Sequence, residues 1–207
     1  MTPADSCVHE PGPTDCPTLG CFRALPCPGA DEAWGLGKYS LKRVSDGYFG
    51  DLIYALKYES LPQHMFDDAL SDLSTQVSRF LGFKYEHSFD GCVVVNGNRT
   101  RDEPVMLHVA KHLQNHKQIR AHETLQKKGY IPVLKQLNRE LRKQAVLGKY
   151  ELSADSRIPM CKHILVVDDV YDSGATLAEA AATVRAAAPT AHIVALTATY
   201  LRDPRED

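Results

Sequence analysis

Three short apolar runs constrain the fold of this chain more than any other feature. They are Gly91-Cys92-Val93-Val94-Val95, His163-Ile164-Leu165-Val166-Val167 and Ile193-Val194-Ala195-Leu196-Thr197. Each is short and largely β-branched, which reads as a buried strand. Helical periodicities lie between and before them. Tyr48, Phe49, Leu52, Ile53 and Leu56 share one face, with Ser45 as a candidate cap. Phe66, Leu70, Leu73, Val77 and Phe80 share another, and Val105, Val109, Ala110 and Leu113 a third. Leu177–Ala182 is rich in Ala, the strongest helix former. Buried strands alternating with helices predict an α/β fold with a doubly wound, largely parallel sheet. Asn96-Gly97-Asn98 marks a turn after the first run. Residues 117–150 are polar and basic and read as one helix flanked by mobile segments. Residues 1–37 cluster Pro and Gly with little periodicity, which predicts an irregular N-terminal extension before a domain spanning 38–207.

Composition narrows the possibilities without naming one. A chain of 207 residues with 43% apolar content can bury a core without staples. The net charge of −2 supplies no global basic field for nucleic acid. No apolar stretch approaches the roughly 18 residues of a membrane span, and the polar start lacks a signal-peptide pattern. A cytoplasmic protein without membrane contact is the expectation. Four of the six cysteines, Cys7, Cys16, Cys21 and Cys27, crowd near the start. In a reducing compartment disulfides are not their expected purpose.

The chemistry is concentrated in Ile164-Leu165-Val166-Val167-Asp168-Asp169-Val170-Tyr171-Asp172-Ser173-Gly174-Ala175-Thr176-Leu177. An apolar strand ends in acids, a tight loop with Gly follows, and a helix begins. Ligands of open α/β sheets sit beyond the carboxyl ends of strands. Backbone N–H groups at a helix start attract anions. Gly174 allows close backbone approach, and the hydroxyls of Ser173 and Thr176 add donors. The carboxylates of Asp168 and Asp169 match sugar hydroxyls or Mg²⁺. Acids beside a phosphate cradle fit a phosphorylated sugar.

This segment resembles the phosphoribosyl pyrophosphate (PRPP) signature of type I phosphoribosyltransferases. The resemblance implies that Asp168 and Asp169 contact the ribose hydroxyls, with Mg²⁺ held directly or through water or ligand. Asp172, Ser173, Gly174, Ala175 and Thr176 would wrap the 5-phosphate. Asp172 has two readings: a general acid or base on the acceptor, or a residue that only caps the helix or holds the loop.

Leu56-Lys57-Tyr58 and the stretch Arg139–Tyr150 are similar to elements of the ComF-like, competence-associated branch. With them the resemblance covers roughly residues 39–200. It implies a pyrophosphate role for Lys57 and a hood over the site carrying Arg142 and Lys143, with Arg142 a catalytic candidate. The rest of the basic stretch, including Arg120, Lys127, Lys128, Lys135, Arg139 and Lys149, reads as a solvated face, or as contact with DNA or a protein partner. Arg99 and Arg101 suit pyrophosphate, although residues 96–104 depart from the branch's usual motif. Asp172 also replaces its usual Thr. Branch members carry a four-Cys zinc module, so Cys7, Cys16, Cys21 and Cys27 are candidate Zn²⁺ ligands, though their gaps are wider than usual.

The resemblance implies transfer of ribose 5-phosphate from PRPP to a nitrogen acceptor such as a nucleobase, with release of pyrophosphate, in a protein that can pair with copies of itself. The alternative is a non-catalytic PRPP- or nucleotide-binding partner protein in DNA uptake, recombination, phage defence or a toxin–antitoxin system.

Overall fold

The computed structural model describes residues 22–37, 48–95, 103–132 and 134–201. In chain order the elements are β1 (Arg23–Ala24), β2 (Glu32–Gly35), α1 (Tyr48–Tyr58), α2 (Gln63–Lys84), β3 (Gly91–Val94), α3 (Val105–Asn115) and β4 (His122–Thr124). There follow β5 (Gln126–Lys127), α4 (Arg139–Val146), β6 (Tyr150–Glu151), β7 (His163–Tyr171), α5 (Ala175–Ala187) and β8 (His192–Tyr200). Six strands form one sheet in the order β1-β2-β8-β7-β3-β4. All neighbours in it are parallel except β1 and β2. β5 and β6 form a separate antiparallel pair.

The central strands are apolar on both faces because both faces are covered. Cys92, Val94, Leu165, Val167, Val194 and Leu196 pack with α1, α2 and α3. Their neighbours Val93, Val95, Ile164, Val166, Ile193 and Ala195 pack on the other side with α4 and α5. This period-two alternation is that of a pleated strand. Leu70, Leu73, Val77, Phe80 and Leu81 form the buried stripe of α2. Phe80 and Leu73 are fully buried, each contributing about 1.5–3 kcal/mol.

Connectivity explains the two layers. The chain leaves β3 for β4 through α3 in one direction along the sheet, and β7 for β8 through α5 in the other. Parallel crossovers are almost always right-handed, so these two helices land on opposite faces. The reversal makes a topological switch point between β3 and β7, where open sheets of this kind bind ligands.

Two regions differ from the sequence expectation. Within the stretch read as irregular, residues 22–37 supply β1 and β2, and β2 pairs with β8 from Glu32↔Val194 to Gly35↔Thr197. These strands are too short to show a period, and the pairing with β8 decides their state. Residues 117–150 do hold one α-helix, the eight-residue α4, but short strands flank it: β4, β5 and the start of β6. Asn138 starts α4 by accepting a 2.9 Å hydrogen bond from Leu141 N. Among the described residues no helix is long and apolar enough to cross a membrane.

Candidate functional site

β7 pairs with β8 along its whole length, from His163↔His192 to Tyr171↔Tyr200, but with β3 only as far as Val94↔Val167. Asp168 is therefore the first residue of β7 beyond the end of β3. The acids do not end the strand, as the sequence implied: β7 runs on through Val170 and Tyr171. Their backbone continues to pair because β8 is equally long, and buried Thr197 and Thr199 stand opposite Asp168 and Val170. Thr199 Oγ1 donates to the Asp169 carbonyl at 3.1 Å.

The two acids meet different surroundings. Asp168 is buried, and its Oδ1 accepts from Asp169 N at 2.8 Å. Tyr150 is close by. Burial, reinforced by the charges of Asp168 and Glu179, pushes its phenol above the usual range. Asp169 receives Lys57, whose Nζ lies 2.6 Å from Oδ1. Lys57 is in the last turn of α1, a position that suits a cation near the helix C-terminus.

The loop between β7 and α5 is only Asp172, Ser173 and Gly174. Arg142 of α4 pairs with Asp172 Oδ2 through Nη1, and its Nε donates to the Leu137 carbonyl at 2.8 Å. The segment after α4 is also fastened to α5, since Gly148 N donates to Glu179 Oε1 at 2.7 Å. Asp172 makes no cap. The N-cap is Gly174, with no capping side chain, and Ala175 N reaches Ser173 Oγ only at a long 3.4 Å. The Asp172 carboxylate instead pairs with Arg142, which joins the loop to α4. The open helix start leaves backbone N–H groups available to an anion. Thr176 stands in that first turn, partly exposed.

Gly174 is required by the fold itself. Its φ is 72°, and a Cβ there would lie 2.5 Å from the Tyr171 hydroxyl. Tyr171 is itself anchored by donating to the Pro26 carbonyl at 2.9 Å.

Lys57, Asp168, Asp169, Arg142, Asp172, Ser173, Gly174, Ala175 and Thr176 are thus assembled at the carboxyl end of β7. Arg99, Arg101, Cys7, Cys16 and Cys21 lie outside the described residues. Cys27 is a half-buried free thiol, and burial pushes it up to about 12. Other basic residues of 117–150 form surface ion pairs, such as Lys128 with Glu151 at 3.1 Å and Lys143 with Glu140 at 3.5 Å. Tyr150 entered the sequence reading only as the aromatic that ends the Arg139–Tyr150 stretch, and Tyr171 and Glu179 were given no role; nothing in the local pattern sets those two apart from core or helix-surface residues.

Among the described residues no group of three or more His, Cys, Asp or Glu side chains is arranged to hold a metal ion. Asp168 and Asp169 offer two carboxylates. That set fits a Mg²⁺ that arrives bound to a substrate phosphate, and does not make a cage from protein alone. At the opposite end of the sheet, by the amino ends of β3, β4 and β7, opens a polar cleft of about 1170 Å³ lined by Asp90, Arg120, Glu123, Arg157 and His163 among others. No protein-family model matches the chain, and no curated protein matches it.

Proposed function

We propose that this chain is a type I phosphoribosyltransferase-like protein that binds PRPP on Asp168–Thr176 and transfers ribose 5-phosphate to a nitrogen acceptor, releasing pyrophosphate. The observation that carries this reading is the convergence of Lys57 and Arg142, from two other helices, on Asp169 of β7 and Asp172 of the loop that follows it, at the switch point. The mostly parallel sheet with helices on both faces is compatible with the fold of that family.

In the reaction the bond from ribose C1 to the pyrophosphate oxygen breaks and a bond from C1 to the acceptor nitrogen forms. The electron pair leaves with pyrophosphate, and the acceptor's N–H proton passes to a base or to water. Asp168 and Asp169 accept hydrogen bonds from the ribose hydroxyls. The N–H groups of the loop and of the first turn of α5 hold the 5-phosphate, with Ser173 and Thr176 adding hydroxyls. Lys57 and Arg142 place positive charge where phosphate oxygens arrive. Asp168 and Asp169 are the residues that would hold a Mg²⁺ arriving with the substrate, and the chemistry it would supply is neutralisation of charge on the leaving pyrophosphate. α4 acts as the hood, closing through Arg142.

One observation favours a second reading, a PRPP- or nucleotide-binding protein without turnover. Asp172 is in an ion pair with Arg142, which suits a structural tie better than a general acid or base. Titration calorimetry with PRPP and Mg²⁺, together with a pyrophosphate assay on the same sample, separates the two. Binding with release on adding nucleobases supports the transferase. Binding without release supports the second reading, and no binding defeats the transferase and the PRPP form of the second reading.

A further inference from the structure

Helix α3 ends in two histidines one turn apart. His112 lies in its last turn and His116 is its C-cap residue. Four residues along a helix bring side chains onto one face. The two ring centroids are 4.3 Å apart with planes inclined by 33°. His116 is exposed and His112 half-buried. Several other histidines have polar partners. His108 Nε2 faces Glu103 at 3.5 Å, His122 Nδ1 meets Gln114 Oε1 at 2.7 Å, and His163 and His192 lie near Asp90 and Asp31. Among the described residues neither the His112 ring nor the His116 ring has a hydrogen bond or an ion pair; the pair is joined only through the backbone, His116 N donating to the His112 carbonyl at 3.0 Å.

We infer that His112 and His116 form a two-imidazole chelate for a divalent transition-metal ion of the Zn²⁺ or Ni²⁺ class. The separation fits. A metal–nitrogen bond of about 2.0–2.1 Å places each ring centre roughly 3.2 Å from the ion, so two such ligands have centroids about 4.5 Å apart at the right angle of an octahedral ion and about 5.2 Å apart at the tetrahedral angle. The observed 4.3 Å needs a shift of a few tenths of an ångström for the first and just under about 1 Å for the second. The ligand chemistry selects the ion. Imidazole nitrogen suits Zn²⁺, Ni²⁺ and Cu²⁺, whereas Mg²⁺ and Ca²⁺ require oxygen. The position also favours a cation, because the C-terminal end of a helix carries partial negative charge. With two protein ligands, the remaining coordination positions go to water.

The site is independent of the proposed PRPP chemistry. α3 runs from the carboxyl end of β3 to the amino end of β4, so its C-terminus lies at the far end of the sheet from Asp168–Thr176.

The test is calorimetric titration of the full chain, stripped with chelator, with Ni²⁺. It is repeated for His112→Ala, His116→Gln and the neighbouring control His122→Ala. Any thiol site elsewhere persists in all four proteins, so the difference isolates the pair. The unsubstituted chain and the His122 variant should share one binding event that weakens about tenfold or more in each of the other two, with their far-UV spectra unchanged. An identical isotherm in all four proteins would overturn the inference. So would absence of Ni²⁺ uptake by the unsubstituted chain, or displacement of Ni²⁺ by equimolar Mg²⁺.

Discussion

Lys57 Nζ lies 2.6 Å from Asp169 Oδ1, which ties the last turn of α1 to β7 across 112 residues of chain. Both side chains are largely withdrawn from water, at 11% and 17% exposure. Removing one partner takes a close opposite charge from a partly buried group, which costs more than the intact pair contributes. Lys57→Ala should therefore destabilise the fold by about 2–4 kcal/mol at neutral pH. Combined with Asp169→Asn the losses should be clearly less than additive. Urea unfolding of both single variants and the double variant checks this. Additivity within about 0.5 kcal/mol would mean the two groups do not interact.

Arg142 makes two contacts, one to Asp172 and one to the Leu137 carbonyl. A lysine ammonium is a point charge and cannot reproduce that fork. Arg142→Lys should behave nearly as badly as Arg142→Ala in holding α4 against the loop. Hydrogen exchange of residues 139–146 reads this directly. Both variants should exchange about tenfold faster or more, as expected for a loss of about 1.5–3 kcal/mol from a charged hydrogen-bond pair. Protection unchanged in the lysine variant would show that charge alone docks the helix.

Gly174 tests conformation, and the acids test binding. At φ 72° a side chain is strained, and here it would also strike Tyr171. Gly174→Ala should cost about 1 kcal/mol for the backbone and more for the displaced ring, so lost binding in that variant would not report on phosphate approach. Asp168→Asn with Asp169→Asn is the cleaner probe. It should cut PRPP affinity by at least about tenfold, the scale of one lost charge-assisted hydrogen bond, with the secondary structure preserved by circular dichroism. Unchanged affinity in that double variant would remove the acids from the site.

The parts legible in the sequence were those with a local period. Buried runs gave β3, β7 and β8 because three central strands must be apolar on both faces. The spacing of Phe66, Leu70, Leu73, Val77 and Phe80 gave α2. The loop Asp172–Gly174 was legible because a turn at positive φ restricts residue choice. β1, β2, β4, β5 and β6 were not, being two to four residues long and stabilised by partners distant in the chain. Within the site the carriers of chemistry were readable as residue types, but their pairing was not. Nothing local tells that Lys57 meets Asp169 or that Arg142 meets Asp172. Tyr171 was invisible for the same reason, since its role depends on Pro26, 145 residues away.

The amino ends of the strands predict how the fold responds to acid. Asp90 lies just before β3, and its Oδ2 accepts from Lys162 N at 2.9 Å and His163 N at 3.1 Å. Burial opposes its ionisation, but these two N–H groups, with the charges of Arg120 and His163, outweigh it and hold the carboxyl below its usual range. Asp31 is likewise opposed by burial and held low by Ile193 N and Arg185. A carboxyl depressed in the folded state contributes stability above its unfolded pKa of about 3.9, and that contribution disappears as pH falls through the lower folded value. Melting temperature should therefore hold between pH 7 and about 5 on account of these groups, then fall below about 4. Asp90→Asn should lower the melting temperature at pH 7 and flatten the acid limb, because the asparagine keeps an acceptor oxygen but has no charge to lose. Thermal melts of both proteins from pH 7 to pH 2.5 decide it. Parallel curves would mean that Asp90 titrates in the folded chain as it does in the unfolded one, and that its backbone bonds do not distinguish the charged carboxylate from the neutral acid.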